Sequence, residues 1–448
     1  MEEKTLTEQI RLAGVVGCGG AGFPTHKKIC GQAETFIMNG AECEPLLRTD
    51  RYIMAHHAEE LVAAMEAIGT YLGAENLVIG LKRDYVPQIQ ALEEVIARRR
   101  SLVRLHLLES FYPAGDEHVL VHEVTGKTVP PGGLPLAVGA VVDNAATVLA
   151  VSDAMAGKPL THKYLTVTGL VDRPAVLRVP VGTSFGECIQ QAGGDPDRPC
   201  FVVAGGPMMG KAVSGDGLQK AVVTKTTSAI LVLPADGPHA LREELSLEKM
   251  LNRARSACIQ CSYCTQLCPR YLLGHPLQPH RIMRRVATAS LEELLGEKDI
   301  QAAQLCCECG VCELYACPMG LAPRRINTLI KGTLARQGIR GSFGPAGTCH
   351  EDRELRKVPT RRAAARAGVG EFLNLEPEGL VTYTPRRVEI PLKMHIGAPA
   401  QPVVAVGDHV EEGALIARCP DNALGASVHA SLSGTVTAVD ERIVIESR

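Results

Sequence analysis

Over the first 150 residues the apolar positions change period again and again. Residues 35–38, 76–81 and 102–108 are short apolar runs of strand type, while 55–72 and 86–99 carry helical spacing. Leu61, Met65, Ile68 and Leu72 share one face of the first helical stretch, and Ile89, Leu92 and Ile96 share one face of the second. Such alternation predicts a mostly parallel sheet covered by helices. From about residue 160 the pattern becomes short and β-branched, at 164–168, 175–181, 201–203 and 229–233, with one helix candidate at 184–192. This reads as a small α+β module. Residues 246–340 are helical in pattern. Six Arg and Lys residues crowd 353–366, read as a solvated linker, with a docking strip for an acidic partner as the alternative. Residues 386–448 are all-β, with Gly407, Gly413, Gly425 and Gly434 at turns, which suggests a small barrel or sandwich.

The chain has 448 residues, enough for three or four domains with real cores. A net charge of −2 gives no electrostatic case for nucleic-acid binding. Glycine is abundant (44), and tryptophan is absent. This composition suits backbone-lined cofactor sites better than aromatic stacking surfaces. The 16 cysteines raise the question of compartment. The start, with Glu2 and Glu3 and no apolar run, does not resemble a signal peptide. The most apolar stretch, 134–157, is interrupted by Asp143, Asn144 and Asp153, so it does not meet the need of about 20 apolar residues for a membrane span. We expect a cytoplasmic protein in a reducing interior, where cysteines serve as ligands rather than disulfides.

Eight of those cysteines form two runs. Cys258, Cys261, Cys264 and Cys268 precede Pro269, and Cys306, Cys309, Cys312 and Cys317 precede Pro318. Tetrahedral zinc is the rival reading, but zinc knuckles pair two C-x-x-C units rather than three cysteines at steps of three. The runs resemble those of two-cluster bacterial ferredoxins, in which the fourth cysteine of each run ligates the other cluster. The resemblance implies one [4Fe–4S] cluster on Cys258, Cys261, Cys264 and Cys317 and another on Cys306, Cys309, Cys312 and Cys268. Cys307 is out of register and is read as a non-ligand. Four residues rather than three separate Cys312 from Cys317, so Cys317 has the least regular placement. Cys18, Cys30, Cys43, Cys188, Cys200, Cys349 and Cys419 lack spacing logic and read as small packed residues.

Residues 17–24, GCGGAGFP, contain G-x-G-x-x-G, a motif with meaning only between a strand and a helix; the preceding strand would be 12–16. Glycines let backbone N–H groups approach a phosphate. Glu42 and Glu44 follow in NGAECEP at the distance of a ribose-binding acid. Asp116 and Glu117 in YPAGDE, and Asn144 and Thr147 in VDNAAT, supply further polar groups.

Together GCGGAGFPTHKK, NGAECEP, YPAGDE and VPPGGLPLAVGAVVDNAAT resemble the flavin- and NADH-binding family. Its members include the respiratory complex I flavoprotein subunit, the electron-entry subunit of Rnf electron-transport complexes, and the cobalamin reductases of propanediol-utilisation microcompartments. The resemblance covers nearly the whole chain. Gly205-Gly206-Pro207-Met208-Met209-Gly210 looks like the family's β-grasp (SLBB-type) module. The implied fold is multidomain α/β: a Rossmann-like FMN/NADH domain (1–157), a β-grasp soluble-ligand-binding module (158–243), and a helical double [4Fe–4S] ferredoxin-like domain (244–340). A linker (341–385) and a C-terminal β barrel-sandwich of biotinyl/lipoyl type (386–448) follow. The barrel has no lysine at a modifiable hairpin tip, so we read it as a docking or structural module.

The resemblance implies that Gly17, Gly19, Gly20 and Gly22 line the FMN phosphate and ribityl chain, and that Lys28 matches the family lysine. It also implies that Asn39, Glu42, Asn144 and Thr147 hold the flavin, and that Phe23, Asp116 and Glu117 meet NADH. The complex I motif has arginine where Cys18 stands and Glu-Glu where Asp116-Glu117 stands. A flavin accepts hydride and returns electrons singly, so the implied route runs from NADH through FMN and two clusters to an external acceptor. No acid–base or nucleophilic triad is needed. The barrel's position at the end of the chain favours the cobalamin reductase branch. That branch implies a corrinoid acceptor, a corrinoid adenosyltransferase and microcompartment shell or lumen proteins as partners, and a place inside a bacterial microcompartment. The alternative is the electron-entry subunit of an Rnf-type ion-translocating complex. A third reading makes the β-grasp module a cobalamin carrier. Asp116 and His118 nearly match the D-x-H-x-x-G element of base-off cobalamin proteins, but Val121 stands where the glycine belongs.

Overall fold

The computed structural model describes residues 5–213, 216–345 and 347–447; Glu2 and Glu3 lie outside them. In the first unit the strands are β1 (Thr35–Asn39), β2 (Asn76–Lys82), β3 (Val103–Leu108), β4 (Phe111–Tyr112) and β5 (Ala140–Asn144). The helices are α1 (Leu6–Leu12), α2 (Thr25–Lys28), α3 (Thr49–His56), α4 (Ala58–Leu72), α5 (Val86–Arg99), α6 (Glu117–Thr125) and α7 (Ala145–Met155). A parallel sheet of order β3-β2-β1-β5 results. The chain steps outward from β1 to β3 and then returns to the other side of β1. A crevice therefore opens beyond the carboxyl ends of β1 and β5, where Asn39 and Asn144 stand in register.

The α4 face carrying Leu61, Met65, Ile68 and Leu72 is fully buried against Phe36, Met38 and Ile79. Each such side chain contributes about 2 kcal/mol of burial. The helix stops at Gly73, in the left-handed region at φ 63°. The helix expected over 55–72 is in fact two helices, broken at His57, whose backbone is not helical. No strand covers 12–16: α1 leads into the glycine loop, and Val16 pairs only with Pro24 in an isolated bridge. The loop is thus a turn between two helices, not the strand–loop–helix of a dinucleotide motif, and its phosphate reading loses that support.

The second unit is built from β6 (His162–Gly169), β7 (Ala175–Pro180), β8 (Cys200–Ala204), β9 (Lys211–Val213) and β10 (Ala229–Pro234), ordered β7-β6-β10-β8-β9. A capping box of Ser184 and Glu187 starts its helix, Phe185–Gln191. The cysteine region packs the helices Leu247–Ala257, Pro279–Val286 and Pro323–Arg336 around Ile282, Ile326 and Ile330.

The basic stretch at 353–366 is not a solvated linker. Val358–Pro359 pairs with β4, buried Arg353 and Lys357 both hold the Glu123 carboxylate, and Ala363, Ala364 and Ala367 of the following helix are buried. Farther on, Leu380–Thr382 extends the second sheet alongside β7. The charges of Arg353 and Lys357 are neutralised internally, which is why this segment can pack. The C-terminal strands form a four-stranded and a three-stranded sheet closed over Ile390, Ile416, Val436 and Ile443. Buried Lys225 joins three units, donating to the Gly14 and Ser427 carbonyls at 2.7 Å each. Among the described residues no helix is long and apolar enough to cross a membrane.

Candidate functional site

A cleft opens at the carboxyl ends of β1 and β5. Asn39 donates to the Gly115 carbonyl at 2.9 Å and accepts from Ala41 N–H at 3.2 Å, fixing its amide at the rim. Asn144 caps α7 by accepting from Ala146 N–H, and its Nδ2 donates to Asp50 at 2.6 Å. A Cβ on Gly19 would sit 2.9 Å from the Asn144 side chain, so only glycine lets the loop backbone approach here. Cys18 N–H donates to Thr147 Oγ1 at 2.9 Å, anchoring the same loop from behind.

The acids at the cleft are held by distinct partners. Glu42 accepts from the N–H groups of Asp50 and Arg51 at 2.8 and 3.2 Å, filling the open start of α3. Burial pushes its carboxyl up, as it pushes the Asp50 carboxyl up to about 8 with help from the Glu42 charge. Asp116 caps α6 through His118 and Val119 N–H, and its other oxygen pairs with buried Arg270 at 2.9 Å. Glu117 pairs with Lys28 at 2.8 Å, and Lys28 lies 3.6 Å from buried Asp143. Glu44 turns toward the second unit. It accepts from Met208 N–H at 2.9 Å and lies 3.0 Å from Tyr112 Oη, and burial pushes it up to about 7. A Cβ on Gly206 would fall 2.0 Å from the Glu44 carboxylate, so the glycine-rich loop is what admits Glu44.

Of the residues expected around the flavin and nucleotide, Gly19, Asn39, Glu42, Asp116, Glu117 and Asn144 form the walls. Gly17, Gly20, Gly22, Phe23, Lys28 and Thr147 do not. Gly22 instead packs beneath the C-terminal unit at Met394 and His395, and Phe23 is partly exposed. Sequence reasoning missed Asp50 and Lys163, which also line the cleft, and gave no sign that Met209 and Cys309 would reach it. Lys163 left a signal, a lysine inside a β-branched strand run; Asp50 left none. His118 lies edge-to-face on His275 at 5.5 Å, inside the contact with the cysteine region.

The cysteines separate into two neighbourhoods. Burial pushes the Cys264 thiol up to about 12, and the adjoining Cys317, Cys261 and Cys258 raise it further. Burial also raises the Cys312 thiol, beside Cys306 and Cys268, and Cys309 hydrogen-bonds with Cys307 and lies near Cys312 and Cys268. Cys258, Cys261, Cys264 and Cys317 are all partly buried, whereas Cys268, Cys306, Cys309 and Cys312 are all buried. The fourth thiol of each run therefore sits with the other run. The loops match conformationally: Gln260 and Ser262 have positive φ, and so do Glu308 and Gly310, at equal offsets from Cys258 and Cys306. Successive left-handed turns of this kind aim N–H groups inward, as a thiolate-bound cluster requires. Gln260 Nε2 lies 3.2 Å from Cys258 Sγ, and Leu321 N–H lies 3.4 Å from Cys317 Sγ.

The extra residue before Cys317 has a physical solution. Val311–Ala316 is a π-helix, a wider turn that takes up one residue while Cys317 still meets the first run. Among the described residues no trio of His, Cys, Asp and Glu side chains gathers at single-ion spacing. A four-iron cube holds its thiolates farther apart than one zinc ion does, and the thiol donor set fits it. Cys309 also lines the cleft, and its carbonyl accepts from Tyr112 Oη at 2.7 Å. The buried cysteine group therefore shares a wall with the cleft.

Comparison with known proteins follows the same division. The Nuo51 FMN-binding domain matches residues 10–153 and the SLBB domain 164–212. The 4Fe-4S dicluster domain matches 257–322, and the RnfC barrel sandwich hybrid domain matches 380–448. Cobalamin reductase PduS of Salmonella typhimurium is 41% identical over 98% of this chain and 95% of its own length. The Citrobacter freundii protein of that name is 39% identical over 99% and 96%. A component of the proton-translocating ferredoxin:NAD(+) oxidoreductase complex of Clostridium ljungdahlii is 34% identical, but over 66% of this chain and 59% of that protein. With an FMN-binding domain and an iron–sulfur dicluster domain on one chain, this protein is an electron-transferring oxidoreductase, and it belongs to the cobalamin reductase PduS family.

Proposed function

We propose that this chain takes electrons from NADH at the cleft and passes them singly to a corrinoid. The observation that carries the electron-transfer reading is the shared wall: Cys309 of the buried thiol group lines the cleft that Gly19, Asn39 and Asn144 build. When bound, FMN supplies the conversion from hydride to single electrons, and two [4Fe–4S] clusters supply one-electron storage. Asn39 and Asn144 would hold the flavin, with Gly19 giving backbone access. Glu42 is occupied at α3 and acts as a positioning residue. Asp116 is likewise engaged by α6 and Arg270, so Glu117, paired with Lys28, is the acid left to contact NADH. Cys306, Cys309, Cys312 and Cys268 would hold the inner cluster, and Cys258, Cys261, Cys264 and Cys317 the outer.

A corrinoid acceptor is supported by near full-length similarity to proteins named cobalamin reductase. A corrinoid adenosyltransferase is then the natural consumer of the product, and a propanediol-utilisation microcompartment the setting. The Rnf-type alternative has less support, since similarity to that Clostridium component stops at about two thirds of the chain. The test is Cys261→Ser in anaerobically reconstituted protein. One cluster's EPR signal should disappear and cob(II)alamin reduction should fall at least tenfold, while NADH still bleaches the flavin. Loss of flavin bleaching as well would contradict the separation of inner and outer sites.

A further inference from the structure

The partly buried cysteine group lies on a surface of unusual make-up. Around it Ile259 is 61% exposed, Tyr263 50% and Met319 39%, an apolar rim on both loops that carry the group. On the helix Leu247–Ala257 three cations, Lys249, Arg253 and Arg255, stand against one acid, Glu248, and residues 314–336 contain no aspartate or glutamate. Arg253 reaches over the rim and donates to the Met319 carbonyl at 3.2 Å. Arg255 is exposed on the same helix, three residues before Cys258, and hydrogen-bonds to Asn252 at 3.5 Å. Among the described residues neither guanidinium has an acidic partner. Lys249 is exposed one turn earlier.

We propose that this rim is the docking surface for an acidic one-electron carrier protein, which collects electrons at the outer cysteine group. The inference rests on the electron-transfer reading above and adds the exit. A small apolar centre with unpaired cations around it suits a weak, fast-exchanging encounter of less than about 1,200 Å². Such encounters are steered by opposite charge and weakened by salt. In each one a single electron leaves this chain and reduces the carrier by one electron.

Binding and transfer are measured on the intact reconstituted protein with two probes, oxidised flavodoxin (acidic) and cytochrome c (basic). Flavodoxin should bind saturably at low salt and weaken at least tenfold at high salt, and cytochrome c should not bind. Arg253→Glu with Arg255→Glu should weaken flavodoxin at least tenfold while the dithionite-reduced EPR signals stay intact. Lys249→Glu with Arg255→Glu, which leaves the Met319 contact alone, should do the same if the first variant loses its cluster. Equal binding of both probes, absence of saturable flavodoxin binding, or affinity unchanged by both variants would overturn the proposal. Because binding and dithionite reduction need no NADH, a failure of NADH to reduce the flavin would count against the proposed function alone.

Discussion

Gly19 and Gly20 are neighbours with opposite tolerances. A Cβ at 19 would strike Asn144, whereas one at 20 would meet nothing within 4 Å. Gly19→Ala should displace the Asn144 cap, costing about 1 kcal/mol, and should also free Asp50. Purified Gly19→Ala is expected to carry flavin at less than half the wild-type ratio, read by absorbance, with Gly20→Ala unchanged. Glu44 gives a pH signature. Its folded-state pKa is raised by burial to about 7, above the ordinary 4.5, so the folded protein binds the extra proton between those values. Stability should therefore fall as pH rises from about 4.5 through 7. Thermal midpoints of Glu44→Gln should show a shallower fall over that window, converging with wild type at acid pH.

Elements explain what could and could not be read from the residues. The buried face of α4 and the helix at 86–99 were legible because apolar spacing alone determines them. The strand expected over 12–16 is not there, because G-x-G-x-x-G says nothing about what precedes it, and α1 occupies that place. The basic stretch at 353–366 was misread for a different reason: composition cannot reveal that Glu123, over 200 residues earlier, neutralises Arg353 and Lys357. Arg353→Ala leaves Lys357 on that carboxylate, so we expect a cost of about 2 kcal/mol, that of one lost charge-assisted hydrogen bond rather than of a broken pair. The segment should also become cleavable in limited proteolysis. Cys317 stood out as the irregularly spaced cysteine, but its π-turn remedy could not be foreseen, because a one-residue insertion can equally be looped out.

At the scale of the whole molecule, the order of the sites is set by contacts between units. Glu44 locks onto the Met208 loop, Tyr112 onto the Cys309 carbonyl, and Arg270 onto Asp116. These contacts bring the buried cysteine group to the cleft and leave the other group at the surface. None was visible in the chain, since each joins residues that sequence spacing treats as unrelated. On the proposed route one end lies at the cleft and the other at an exposed rim, which suits a reductase that must exclude water from the first transfer and reach a partner with the last. The most direct test supplies anaerobic protein with NADH, cob(II)alamin and a corrinoid adenosyltransferase, and follows adenosylcobalamin by its absorbance. The account predicts NADH-dependent adenosylcobalamin formation that is lost in Cys261→Ser. Robust NADH-driven reduction of other acceptors with no adenosylcobalamin would contradict it.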